Sequence, residues 1–417
     1  MRVERIKTSF VPKGNSMFYP LFHGPRRLMA SISAAGLILG ILVLSTSSAT
    51  AATWTIQTTP NAAGAEHSNL YDISCEGSAT KACYSVGKQT TSGGVSSPYA
   101  QIWNGTSWTN QTVVTPEGAT AGEFQSVDCA PSLVFEKLFC SAAGSYTSGG
   151  VTRSLVENSN VSGWALNTTP NPEGASETAL KGISCRYLFS TCEAVGYSVK
   201  SGKKTAFVIG RNSEAKWLIQ TMPEPEGATS SELHGVDCPS STYCVAVGNY
   251  TVSGGSIWAM SATWNGTSWT LRTVSKPAGS IRTVLLDVSC SSSSECAGVG
   301  IYRDSTGLQT SFVERWNGTS WSHQASANPV GSTNTVFQGV SCNTGPCVAV
   351  GDWNNGKNWL PMAQEYNGSA WALDTTPNPE GATETIIEGV ACRSTGCLSS
   401  GWYKDSGGKL KTLGETR

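Results

Sequence analysis

FQGVSCNTGPCVAVGDWNNGKNWLPMAQEYNGSAWALDTTPNP, residues Phe337 to Pro379, decides the reading of this chain. It holds a Cys pair, a V-A-V-G run with Trp353 two residues on, an Asn-Gly turn, a Trp-led strand and a Pro-rich exit. The unit recurs seven times in 417 residues. Its Cys pairs are Cys75 with Cys83, Cys129 with Cys140, Cys185 with Cys192, Cys238 with Cys244, Cys290 with Cys296, Cys342 with Cys347 and Cys392 with Cys397. Successive first Cys residues are 54, 56, 53, 52, 52 and 50 apart. A period near 50 in strand-like sequence marks a propeller or an array.

The Trp strands also number seven, starting at Trp54, Trp108, Trp164, Trp217, Trp269, Trp321 and Trp371. They run out of phase with the Cys pairs. Trp54 precedes every pair, and no Trp strand follows the pair of Cys392 and Cys397. A ring closed by its N-terminal strand accounts for this offset, because closure removes the edge an incomplete sheet exposes. The expectation is an all-β, seven-bladed β-propeller of four-stranded blades. Its last blade is completed by the Trp54 strand, and each blade carries one disulfide hairpin. Val, Thr, Tyr and Trp enrichment favours strands. Asn-Gly at Asn104, Asn265, Asn317 and Asn367 marks the turn from the third to the fourth strand. Positive φ is expected at the central residues of that turn.

Residues 1–27 carry six basic residues and one acid, and an apolar run follows from Leu28 to Leu44. Ala49-Thr50-Ala51 then fits an A-x-A cleavage site. Residues 1–52 read as a secretory signal peptide, with an uncleaved membrane anchor as the alternative. Removing six basic and one acidic residue from 28 and 29 leaves 22 against 28, a net charge of −6. That balance argues against nucleic acid, which calls for a basic patch. Residues 53–417 read as one propeller domain, secreted or at the cell surface, and a monomer is expected. An exported chain favours disulfides over thiols, so all fourteen Cys residues are expected to pair within their own repeats. Zinc is disfavoured, since each pair belongs to a different repeat and only His67, His234 and His323 lie beyond residue 52. No cofactor or metal is expected.

Site residues are expected on the loops after the second and fourth strands, because a rigid scaffold presents function on loops. The candidate ligand-binding set is Tyr250, Tyr302, Arg303, Trp353, Trp359, Trp402 and Tyr403. Tyr146, Tyr250, Tyr302, Trp353 and Tyr403 share one place in the repeat, which also suits packing between blades. Glu117, Glu173, Glu226 and Glu380 recur in Pro-Glu-Gly-Ala turns, and none stands out as a catalytic acid. No catalytic residue is assigned.

The W-N-G-T-S-W turn, as at Trp316 to Trp321, and the A-V-G strand resemble secreted bacterial β-propellers of the kelch-like and sialidase Asp-box-like kind. The resemblance covers residues 53–417 at the level of architecture. It implies the propeller fold and carries over no catalytic residue. The expected function is a non-catalytic propeller that binds a polysaccharide or a surface protein on its loop face. A glycoside hydrolase or lyase with acids in the propeller mouth is the first alternative, and a structural envelope or matrix protein the second.

Overall fold

The structure is a computed structural model that describes residues 53–75, 82–130, 139–160, 163–186, 191–342 and 345–417. All the described residues belong to one compact unit. The expected signal peptide, residues 1–52, lies outside the described residues.

Every regular element among the described residues is a strand, and no helix there is long and apolar enough to cross a membrane. Among the described residues the strands pair antiparallel in groups of four, numbered here as sets in chain order, and single parallel pairings join some of these into sheets of 4, 8, 12 and 4 strands. Set 1 comprises His67–Cys75, Cys83–Thr90, Ser96–Trp103 and Trp108–Gln111. The first strands of sets 2 to 7 are Ala119–Ala130, Ala175–Arg186, Ala228–Ser240, Ser280–Ser292, Asn334–Ser341 and Glu384–Arg393. Set 7 takes its fourth strand from the other end of the chain: Thr55, Ile56 and Gln57 pair with Thr416, Glu415 and Gly414.

The Trp residues explain how the sets pack. Trp54 is 1% exposed, and its indole Nε1–H donates to Asp374 Oδ2 at 3.2 Å. It packs with Val348 and Val350 of set 6 and Ile387 and Leu413 of set 7. The same arrangement recurs between sets 1 and 2 through Trp164 and between sets 2 and 3 through Trp217. Ile73, Trp103 and Trp108 of set 1 share a cluster with Ala391 and Leu398 of set 7. The core therefore runs from set to set rather than lying inside any one of them. That is how thin sheets bury both faces.

All seven expected disulfides are present. Cys75 is bonded to Cys83, Cys129 to Cys140, Cys185 to Cys192 and Cys238 to Cys244. Cys290 is bonded to Cys296, Cys342 to Cys347 and Cys392 to Cys397. The described residues include no free cysteine. In set 1, Cys75 lies directly opposite Cys83 in the ladder, so the bond ties strand 1 to strand 2. Cys129 faces Cys140, Cys290 faces Cys296 and Cys392 faces Cys397 in the same way. Cys244 and Cys347 are buried with their partners in the clusters between sets, so these bonds belong to the core.

The Asn-Gly turn differs in detail from expectation. Gly105 has φ 92°, while Asn104 is not among the positive-φ residues. Asn104 is a corner instead, and its Oδ1 accepts the N–H groups of Thr106 and Ser107 at 2.9 Å. Gly meets the positive φ, and Asn supplies the side-chain acceptor that Asx turns use.

Candidate functional site

The site begins with a defect repeated in every first strand. The register between strands 1 and 2 slips at the same place in each set, between Leu70 and Asp72 in set 1 and between Ile387 and Gly389 in set 7. The other five sets slip at the equivalent step. The residue left unpaired is always the fourth before the first Cys. A bulge of this kind bends the strand and re-aims the extra side chain.

The A-V-G glycine makes the bulge fit. It faces the strand where the slip occurs, as Gly87 faces Leu70 and Gly300 faces Leu285. A Cβ on Gly87 would drive into the Asn69 carbonyl oxygen, and one on Gly300 into that of Val284.

The seven bulged residues are Tyr71, Gln125, Lys181, His234, Leu286, Gln338 and Glu388, and all seven line one cavity of about 530 Å³. Below them the walls come from the last residues of the same strands. A second ring lies one residue before the first Cys: Ser74, Asp128, Ser184, Asp237, Ser289, Ser341 and Ala391. Six of these side chains accept the N–H of the Cys in the next set. Cys129 donates to Ser74 Oγ at 3.1 Å, Cys185 to Asp128 Oδ2 at 2.7 Å and Cys238 to Ser184 Oγ at 3.1 Å. Cys290 donates to Asp237 Oδ2 at 2.6 Å, Cys342 to Ser289 Oγ at 3.0 Å and Cys392 to Ser341 Oγ at 3.0 Å. Ala391 cannot accept, and at that step Arg393 donates to the Cys75 carbonyl instead. Asp72 and Asp287 act likewise one layer up, accepting the N–H groups of Val127 and Val340 at 2.9 Å.

The electrostatics follow from depth. Burial pushes Asp287 up to about 8, helped by the Asp72 charge. It also pushes Asp72 to about 6, against the Val127 N–H. Glu388 rises to about 7 through burial, while its hydrogen bond from Trp402 Nε1 at 2.9 Å pulls the other way. Asp237 rises to about 6 through burial, opposed by Arg186, whose Nη2 lies 3.6 Å from Oδ1. Tyr71 is held protonated by burial and by the nearby Glu123 and Glu388 charges. Burial pushes the His234 imidazole down, so it stays neutral near pH 7.

Beside His234 runs a fixed relay. Lys204 Nζ lies 3.0 Å from Glu232 Oε2. Asn249 Nδ2 donates to Glu232 Oε1 at 3.5 Å, and Asn249 Oδ1 is 2.8 Å from His234 Nε2. An amide oxygen only accepts, so Nε2 carries the imidazole proton and Nδ1 keeps its lone pair. Lys181 forms no ion pair among the described residues. No group of three or more His, Cys, Asp or Glu converges among the described residues as metal ligands would.

The residues that the sequence singled out lie elsewhere. Tyr250, Tyr302, Trp353 and Tyr403 are half-buried against four different inter-set clusters. Trp359 packs on Val284, Ile301 and Val336, and Arg303 is exposed. Trp402 touches a cavity residue, through Glu388. Trp353 lines a separate groove of about 280 Å³ with Pro329 and Leu360. The cavity set carries no recurring residue type that would mark it in the sequence. Aligning the seven repeats on the first Cys reveals it: Leu, Phe or Ile always stands five before and Ile or Val two before, while the fourth position differs from set to set.

No family model matches the sequence, and no curated protein matches it. A polysaccharide lyase described as a PL25 ulvan lyase aligns over 84% of this chain and 94% of its own, with 9% identity and a TM-score of 0.51. A structure titled YCF48 bound to D1 peptide aligns over 87% and 96%, with 12% identity and a TM-score of 0.46. A Trypanosoma rangeli sialidase aligns over 84% of this chain and 54% of its own, with 10% identity and a TM-score of 0.43. At such identities the likeness shows the fold: this chain has a β-propeller architecture.

Proposed function

We propose that residues 53–417 form one exported, seven-bladed propeller, closed at set 7 by the Trp54 strand, that binds a hydrophilic ligand in its central cavity without catalysis. A saccharide is the ligand class that suits it best. One observation carries this reading. Within a chain of repeats, positions that hold the scaffold stay alike. The bulged position varies widely in chemistry, as phenol, amide, ammonium, imidazole, alkyl, amide and carboxylate, and so does the cavity position after the first Cys, with Ala130, Arg186, Pro239, Ser291 and Arg393. A structural ring has no use for that variety, whereas an asymmetric ligand does. The volume falls in the range of small-molecule sites, about 300–1,000 Å³. Mixed donors and acceptors around one wall suit hydroxyl groups. The seven disulfides fit an extracellular setting.

The loop aromatics Tyr250, Tyr302, Trp353, Trp359 and Tyr403, with Arg303, remain a second surface for a longer polysaccharide or a surface protein, and Trp402 links the two through Glu388. The test is a thermal-shift screen of the full chain against plant and cell-wall saccharides, with product analysis of each hit. A ligand that binds only the native state raises the melting temperature. The proposal predicts a hit without products that Gln338→Leu weakens. A hit that Gln338→Leu and His234→Leu leave intact, but Trp353→Ala removes, would move the site to the loop face. Products would make the chain an enzyme.

A further inference from the structure

The ligand class can be narrowed from the charges, resting on the cavity reading above. The acids on the first strands of sets 2, 3 and 4 include four that are engaged with other groups. Glu123 takes Lys88 Nζ at 3.4 Å and Gln125 Nε2 at 2.7 Å. Glu177 takes the Tyr197 hydroxyl at 2.5 Å, and Glu232 takes Lys204. Asp128 takes the Cys129 and Cys185 N–H groups. Lys181 is left as a cavity-lining ammonium without a counter-ion among the described residues. It lies close enough to His234 for its charge to oppose protonation of that ring. A half-buried cation with nothing to pair with is a recognition element for an anion, since a charged hydrogen bond in a sheltered site is worth more than a neutral one. Next to it stands an imidazole whose Nδ1 can only accept.

We infer that the cavity recognises a hydroxy-carboxylate sugar, a uronate, whose carboxylate pairs with the Lys181 ammonium and whose neighbouring hydroxyl donates to His234 Nδ1. The Tyr71 hydroxyl and the Gln125 amide on the same wall supply donors and an acceptor for the remaining ring oxygens. The cavity also holds Asp72, Asp128, Asp237, Asp287 and Glu388, which would repel an anion. The four aspartates are turned into backbone N–H groups, Asp237 is offset by Arg186, and Glu388 accepts the Trp402 indole N–H.

The test titrates the full chain, at low ionic strength, with sodium glucuronate and sodium galacturonate and in parallel with glucose, galactose and sodium sulfate. A uronate is expected to bind at least about tenfold more tightly than its neutral sugar, the scale of one charge-assisted hydrogen bond. Lys181→Met should remove that preference, Lys181→Arg should keep most of it, and both variants should melt with the parent. Equal binding of uronate and neutral sugar, or a preference that survives Lys181→Met, overturns the inference. Sulfate binding as tight as uronate makes this a general anion site and overturns the hydroxyl half. Neutral sugars that bind alone, and are lost in Gln338→Leu, would keep the cavity reading and remove the uronate. Binding by none of the five would remove both.

Discussion

Ser289→Ala probes the ring of side chains that joins one set to the next. Ser289 is 6% exposed, and its Oγ accepts the Cys342 N–H at 3.0 Å. Alanine leaves that buried N–H without its acceptor while hardly changing shape. An unsatisfied buried donor costs about 1–3 kcal/mol, more than the net worth of an ordinary hydrogen bond. The assay is urea unfolding, in which the midpoint should drop at constant slope, because the surface exposed on unfolding is unchanged. Ser291→Ala serves as the control. Ser291 is exposed and sits beyond the Cys, so its loss should stay within about 0.5 kcal/mol. Ser74→Ala removes the same bond between sets 1 and 2, and the double variant should lose the sum of the two, since the sites share no partner. If Ser289→Ala were no worse than Ser291→Ala, the hydrogen bonds between sets would be incidental and the argument for this ring would fail.

Three further outcomes follow from the same geometry. Gly300→Ala should destabilise by more than about 1–3 kcal/mol, the usual cost of overpacking, because its new Cβ meets the Val284 backbone; an unperturbed melt would show that the bulge can relax. Replacing Cys185 and Cys192 together by Ala opens one short loop and should cost about 2–3 kcal/mol on the chain-entropy account; calorimetry showing no loss would contradict a structural role for the disulfide. Stability should fall as pH rises from about 4.5 to about 8. Burial lifts Glu157 and Glu314 to about 7 and Glu193 and Glu415 to about 8 in the folded chain, against 4.5 as the ordinary value. The folded state then holds more protons across that window, so its advantage is fullest below 4.5 and is lost as pH passes the raised values. His234 and His323 are shifted down by burial and pull the other way, but they are two groups against at least eight, because burial raises Asp72, Asp237, Asp287 and Glu388 as well. Glu415→Gln should flatten the profile of melting temperature against pH, and a profile that rises over this range would refute the assignment.

The repeat made the architecture legible. Seven Cys pairs out of phase with seven Trp strands called for a chain whose ends share a sheet, and Thr55 does pair with Thr416. Local chemistry was legible too, in the disulfides and the third-to-fourth turn. Even the widest spacing, Cys129 to Cys140, and the narrowest, Cys342 to Cys347 and Cys392 to Cys397, close the same hairpin. The proposed cavity site was not legible. A search for recurring aromatics finds residues such as Tyr302 and Trp353, and recurrence is what packing between sets requires. The bulge was written in the A-V-G glycine, but its meaning depends on which backbone faces it, and that is a property of the pairing register. The Ser or Asp before six of the seven first Cys residues was also visible. Its partner lies about 53 residues away in the next set, so only the packed structure shows what it bonds.

The closed ring is the central claim, because without it no central cavity exists. Trp54→Ala tests it most directly in the full chain. Trp54 is fixed between sets 6 and 7, and its removal should cost about 3–5 kcal/mol in unfolding, as a buried Trp does. A melting temperature and unfolding midpoint unchanged by Trp54→Ala would mean that the N-terminal strand hangs free and the ring is open.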